Sequence, residues 1–310
     1  MNKVLIIKTG ESECFVDSPL SHISLGDVLR TTVILSLFEG DKITWLTSPE
    51  ASPLLTSHPH LHVMTDKNSL EPSSFDRVIL LEKTAPWISW VKGAFDKNKI
   101  YGFVSECGHF RQGGPLLHSP LRLKDFKIWQ KGLFLLLGKT WAGEEYVYHP
   151  RRKVPERFDV GLNWKCGPRW PNKQWPQKNW EALAKELSSS HTLSWQQGFD
   201  DIDAYVDWIQ SCSTLITTDS LGLHLALALK KKVVAFFGPT AAEQIPLYGK
   251  GLALSPSLSL FPCAPCFAPR CSREMTCMEH LSVNNALRAF EFVHRGGKVH
   301  ADSDFRSSAI

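Results

Sequence analysis

Asp219, Ser220, Gly222 and His224 fall within six residues, DSLGLH, directly after the β-branched run LITT and at the head of an apolar stretch. A strand that ends at Asp219 and a helix that opens on Ser220 and Leu221 would point unpaired backbone N–H groups at whatever lies beyond the sheet, which suits an anion such as a phosphate. Gly222 would let that anion approach closely. Thr240 ends the next run, VVAFFGPT, and faces the same region. Each residue also has a plainer explanation. Asp219 and Ser220 are good helix N-caps, and a histidine in the first turn of an apolar helix is commonly a core residue.

Lys173 sits in RWPNKQWPQKNW, a loop stiffened by two prolines and flanked by Trp170 and Trp175. An ammonium held there could reach a diphosphate, although a solvated loop lysine is the alternative. Gln196 and Gln197 follow the strand-like HTLSW, and their amides, Gln197 in particular, could read a base or ribose. Near the N-terminus, Ser24-Leu25-Gly26-Asp27 opens a helical pattern. Serine with an acid three residues on is a capping box, while the same Asp27 carboxylate could accept a proton.

Cys263, Cys266, Cys271 and Cys277 give C-x2-C-x4-C-x5-C. Four thiols at that density suit a structural zinc or iron ion better than disulfides in a cytosolic protein, four free thiols being the alternative. A closed four-sulfur site has no open position for substrate. Cys14, Cys107, Cys166 and Cys212 are isolated and read as small buried hydrophobes.

The elements that must position these groups alternate. Strand-like runs at 4–8, 43–47, 77–81 and 99–103, with helical patterns at 25–38 and 124–137, give the rhythm of a parallel sheet. After a Gly- and Pro-bearing connection at 138–155, the rhythm restarts with FDVGLN, helices near 179–189, 202–212 and 220–229, the runs STLITT and VVAFFG, and a last helix at 281–294. The expectation is an α/β chain of two doubly wound domains, 1–150 and 151–295, with a disordered tail at 296–310. In such sheets ligands lie beyond the carboxyl ends of the strands, where the Asp219–Thr240 stretch, the Lys173 loop with Gln196 and Gln197, and the Ser24–Asp27 turn are expected to fall.

Bulk properties exclude several classes. A 43% hydrophobic and 21% charged composition is that of a folded soluble chain. The net charge of +4 is mild and scattered, which argues against nucleic acid. No apolar run reaches the roughly 18 residues of a spanning helix, and the N-terminal KVLIIK lacks a signal-peptide pattern. A cytoplasmic protein is expected.

VLIIK, the SLGD turn, Lys173-Gln174-Trp175-Pro176, Asp219 with His224 five residues on, FFGPT and PCAPCFAPRC with TCM together resemble the heptosyltransferase-type glycosyltransferases of family 9. The similarity runs from Lys3 to about His294. It implies the GT-B fold, with two Rossmann-like domains facing across a cleft: an N-terminal acceptor domain and a C-terminal nucleotide-sugar donor domain. It also implies an inverting transfer, with heptose from ADP-heptose as the family precedent, to a saccharide or lipopolysaccharide-type acceptor, without a divalent ion or other catalytic cofactor. Asp27 becomes the general base and Lys173 the diphosphate ligand. Asp219, Ser220, Leu221, Gly222 and His224 bind nucleotide and sugar, with Thr240 lining the same pocket. Some relatives hold a metal at a comparable cysteine cluster. A lipid-linked acceptor would bring peripheral membrane contact. Two features depart from the pattern: Leu221 precedes Gly222 where Ser or Thr is usual, and residues 11–23, a loop or part of an acceptor site, separate the first strand from SLGD. A nucleotide-sugar epimerase or hydrolase, or a non-catalytic nucleotide-sugar-binding protein, would share the architecture.

Overall fold

The computed structural model describes residues 1–11, 23–103, 109–111, 120–122, 126–198 and 201–297. The chain divides into two compact units, Met1–His149 and Pro150–Ile310. The tail expected to be disordered lies outside the described residues from 298 on, as do Cys14, Cys107 and residues 12–22 of the expected loop. Glu11 and Ile23, which flank that loop, form an antiparallel bridge.

The first unit builds a five-stranded sheet from β1 (Lys3–Ile7), β2 (Lys42–Leu46), β3 (Leu61–Met64), β4 (Arg77–Leu80) and β5 (Ile100–Gly102). Its order is β3-β2-β1-β4-β5, parallel throughout. β1 sits at the centre, and its Val4 to Ile7 are all fully buried, which is why it reads as an unbroken apolar run and not as an alternation. Helices α1 (Leu25–Thr31), α2 (Ala85–Ala94) and α3 (Trp129–Leu136) complete the unit, with a small antiparallel pair, β6 (His109–Arg111) and β7 (Pro120–Arg122).

The helix expected over 25–38 is α-helical only to Thr31 and continues as a 3-10 helix over Thr32–Leu37. The hydroxyls of Thr31, Thr32 and Ser36 each donate to the carbonyl three residues back, at 2.6, 2.7 and 2.8 Å. Such back-bonding competes with the regular helical ladder.

The second unit repeats the layering with β8 (Phe158–Asn163), α4 (Gln177–Leu187), β9 (Leu193–Trp195), α5 (Ile202–Gln210), β10 (Cys212–Thr218), α6 (Leu221–Ala228), β11 (Lys232–Phe236), β12 (Gly251–Leu254) and α7 (Val283–His294). The sheet is parallel in the order β12-β11-β10-β8-β9. Trp175, Trp180 and Phe236 interlock in its core at ring separations of 4.7 to 5.5 Å. Trp175 also donates its indole N–H to Leu281 O at 2.9 Å. This cluster fixes the chain two residues beyond Lys173. Among the described residues no helix is long and apolar enough to cross a membrane.

Candidate functional site

In the second unit the strand order reverses between β8 and β10, so the crevice favoured for ligands lies beyond the carboxyl ends of these two strands. Asn163 ends β8 and Asp219 follows β10. Asp219 is 6% exposed, and its Oδ2 accepts from Lys173 Nζ and from Thr240 Oγ1, each at 2.7 Å. His224 Nε2 stands 4.0 Å from Oδ1. Burial would raise the Asp219 carboxyl. The Lys173 ammonium, then His224, and the hydrogen bonds from Lys173 and Thr240 more than offset it and hold the group below the usual carboxylate range. Lys173, Asp219, His224 and Thr240, separated in sequence, therefore form one charged cluster.

Ser220 is the N-cap of α6, but its side chain makes no capping hydrogen bond. Its hydroxyl instead accepts from Asn163 Nδ2 at 3.1 Å. Asn163 also donates to Thr217 Oγ1 at 2.7 Å and accepts from the Tyr205 hydroxyl at 2.7 Å. Burial pushes the Tyr205 phenol up, against that hydrogen bond, so it stays a neutral donor. Sequence patterns gave no sign of Asn163 or Tyr205, since neither lies in a recognisable motif.

Gly222 has a structural reason of its own beside the expected one. A Cβ there would overlap Asn163 Nδ2 and the Tyr205 hydroxyl, so glycine is required for α6 to pack on the protein's own polar network. Leu221, the first residue of α6, is half-buried. The two glutamines are placed differently. Gln197 is exposed and donates to Trp195 O at 3.0 Å within its own strand end. Gln196 is 2% exposed, accepts from Lys165 N at 3.2 Å, and leaves Nε2 buried with no partner. Cys166, expected to be a buried hydrophobe, is half-buried beside Lys173 and Asp219, with its thiol pushed up by burial.

In the first unit Asp27 lies in the opening turn of α1, its side chain 36% exposed. The capping box is not made. The Ser24 side chain forms no cap hydrogen bond, and Ser24 N donates to Gly10 O at 2.7 Å. Asp27 Oδ1 pairs instead with Arg30 Nη2 at 2.9 Å, and the Arg30 guanidinium stacks 3.9 Å over the Trp129 ring. The turn before α1 is anchored by Glu82, which follows β4. Its carboxylate accepts from Thr9 N, Thr9 Oγ1 and Gly10 N at 2.6, 3.0 and 2.9 Å, and from Lys8 Nζ at 3.2 Å.

The cysteine loop does not assemble the expected tetrahedral site. Burial pushes the Cys277 thiol up to about 11, with Cys266, Cys271 and Cys263 adding to the effect, so the four share one neighbourhood. Yet Cys263 and Cys266 are exposed while Cys277 is turned inward against Gly238. Among the described residues no three His, Cys, Asp or Glu side chains are grouped to hold an ion.

Residues 200–276 match the family model described as Glycosyltransferase family 9 (heptosyltransferase). Solved structures align over nearly the whole chain. The family 9 glycosyl transferase of Veillonella parvula DSM 2008 is 14% identical at a TM-score of 0.67, with 95% of this chain and 97% of that one covered. The E. coli ADP-heptose lps heptosyltransferase II is 13% identical at 0.63, covering 95% and 99%. TibC from enterotoxigenic E. coli H10407, an iron-containing dodecameric glycosyltransferase, is 13% identical at 0.61, covering 95% and 76%. A search of curated proteins returns no match. The class defined by the fold is GT-B. The resemblance to family 9 glycosyltransferases is borne out by the family model over residues 200–276, and the architecture over the chain as a whole.

Proposed function

We propose that the chain is an inverting glycosyltransferase that takes a sugar from a nucleoside diphosphate donor, with ADP-heptose as the precedent, and passes it to a saccharide or lipopolysaccharide-type acceptor in the cytoplasm. The observation that carries this reading is the Lys173–Asp219–Thr240 cluster at the switch point of the second sheet. Asp219 holds the Lys173 ammonium at the strand ends, where a diphosphate would share it, and the N-terminus of α6 adds backbone N–H groups and a favourable dipole. The same groups stabilise the charge that builds on the departing diphosphate. Asp27 is the proposed general base for the acceptor hydroxyl, its carboxylate held ready by Arg30. Donor contacts fall in the second unit and acceptor contacts in the first.

Nucleotide release, followed with a panel of nucleotide sugars with and without acceptor glycans, tests this. Release that requires an acceptor supports transfer. Turnover of donor alone would indicate an epimerase or hydrolase, and binding without turnover a non-catalytic binder.

For the cysteine loop, the spacing favours structural zinc or iron, and TibC is an iron-containing relative in fold. The side chains as placed do not fit an ion, and no step of the transfer runs through one. Elemental analysis of protein purified without a metal-binding tag decides between about one equivalent per chain and none.

A further inference from the structure

Lys173 and Thr240 reach Asp219 from two separate backbone segments, and both segments are tied to the cysteine loop. Asn172, buried and adjacent to Lys173, donates its backbone N–H to Pro269 O and its Nδ2 to Ala268 O, each at 3.1 Å. Phe267 N donates to the carbonyl of Pro239, the neighbour of Thr240, at 2.7 Å. To do so Phe267 takes a φ of 50°, a conformation bulky residues seldom adopt. On the far side of Pro239, Gly238 packs so closely that a Cβ would stand 2.6 Å from Met278 Sδ and 2.8 Å from Cys277 Sγ. Three consecutive residues, 267–269, thus bridge the two segments that supply the partners of Asp219.

We propose that the loop carrying Cys263, Cys266, Cys271 and Cys277 braces the nucleotide-binding cluster, acting through Asn172 as a positioning residue, so that nucleotide binding and the accessibility of its thiols are coupled. The inference rests on the donor-site reading above. Coupling of this kind is reciprocal: if the loop sets the spacing of Lys173 and Thr240, a nucleotide that fixes that spacing must also steady the loop. Cys263 and Cys266 are exposed on it and are suited to report the effect.

The test uses the full chain with ADP, GDP and UDP as probes. Calorimetry gives their affinities, and mass spectrometry gives the iodoacetamide alkylation rates of Cys263 and Cys266 with and without bound nucleotide. Asn172→Ala should weaken the best nucleotide by roughly fivefold, about the worth of one buried hydrogen bond, and should lower the melting temperature of the free protein as well, since Ala268 O is left without that partner. In the wild type, bound nucleotide should slow alkylation of both thiols, a readout that requires no variant to fold. Equal alkylation rates with and without nucleotide, or an Asn172→Ala chain that binds as tightly as wild type, overturn the brace while leaving the donor site standing. A wild type that binds none of the three nucleotides overturns the donor-site reading and the brace with it.

Discussion

The Lys8 ammonium and the Glu82 carboxylate meet at 3.2 Å beyond the ends of β1 and β4, both nearly sealed from water, with side-chain exposures of 9% and 1%. Strand order in the first sheet reverses between these two strands, so Glu82 fills the place where the β1 turn of a nucleotide-binding half would cradle a phosphate. The backbone N–H groups of Thr9 and Gly10 are already committed to it. Glu82→Gln keeps the shape and strands the Lys8 charge. It should cost about 3 kcal/mol in urea denaturation, the usual result of breaking a buried pair by one partner.

Asp27→Asn should leave folding almost untouched. The capping box is not formed, and the half-buried pair with Arg30, three residues on, contributes about 0.5 kcal/mol, as helical pairs at this spacing do. If Asp27 is the base, single-turnover transfer should fall by roughly 10²- to 10⁴-fold with donor affinity intact. Near wild-type transfer would leave the mechanism without its base.

Lys173→Met removes the ammonium while keeping much of the apolar stem. Nucleoside diphosphate affinity measured by calorimetry should drop by roughly 1.5 to 3 kcal/mol. Because Asp219 would then be buried without its main counter-ion, its carboxyl should rise, and the acid limb of the stability profile should move to higher pH. Wild type keeps the Asp219 contribution above the ordinary carboxylate range and loses it only as pH falls through the depressed value.

Gly222→Ala should be strongly destabilising even though alanine is the better helix former. The added methyl meets Asn163 and Tyr205, both buried and hydrogen-bonded to each other, and neither can move without breaking that bond. A melting temperature equal to that of wild type would show that the network yields.

His58 supplies a pH test away from the site. Burial, then His149 and His60, lower it from 6.5 to about 4, and its Nδ1 accepts from His60 N at 3.2 Å. Between those two pH values the unfolded chain takes up a proton that the folded chain refuses, so stability falls as pH drops from 6.5 towards 4. His58→Gln should flatten that slope in denaturation series at several pH values, leaving stability at pH 8 nearly unchanged.

The central strands were legible because burial on both faces writes them as apolar runs, as in VLII and LITT. β3 and β12, at the sheet edges, carry the short half-buried runs LHVM and GLAL and gave no such signal. In the site, motif order marked Asp219, His224 and Thr240, which the fold brings to one carboxylate or its immediate surroundings. Asn163, Tyr205 and Asn172 act through contacts between residues 42 to 96 positions apart, and spacing along one chain carries no trace of those. The capping box at Ser24 failed for a related reason, since a tertiary partner, Gly10 O, claimed the N–H that the local motif needed.

Both sheets reverse beside the first strand of their unit, between β1 and β4 in one and between β8 and β10 in the other. Counted within each unit, the first runs three-two-one-four-five and the second two-one-three-four-five. Laying one half of the chain over the other in sequence order therefore cannot superpose all five strands. Overlaid from their first strands, β2-β1-β4-β5 matches β9-β8-β10-β11 in both space and chain order, and the halves differ by one edge strand each, β3 in the first and β12 in the second.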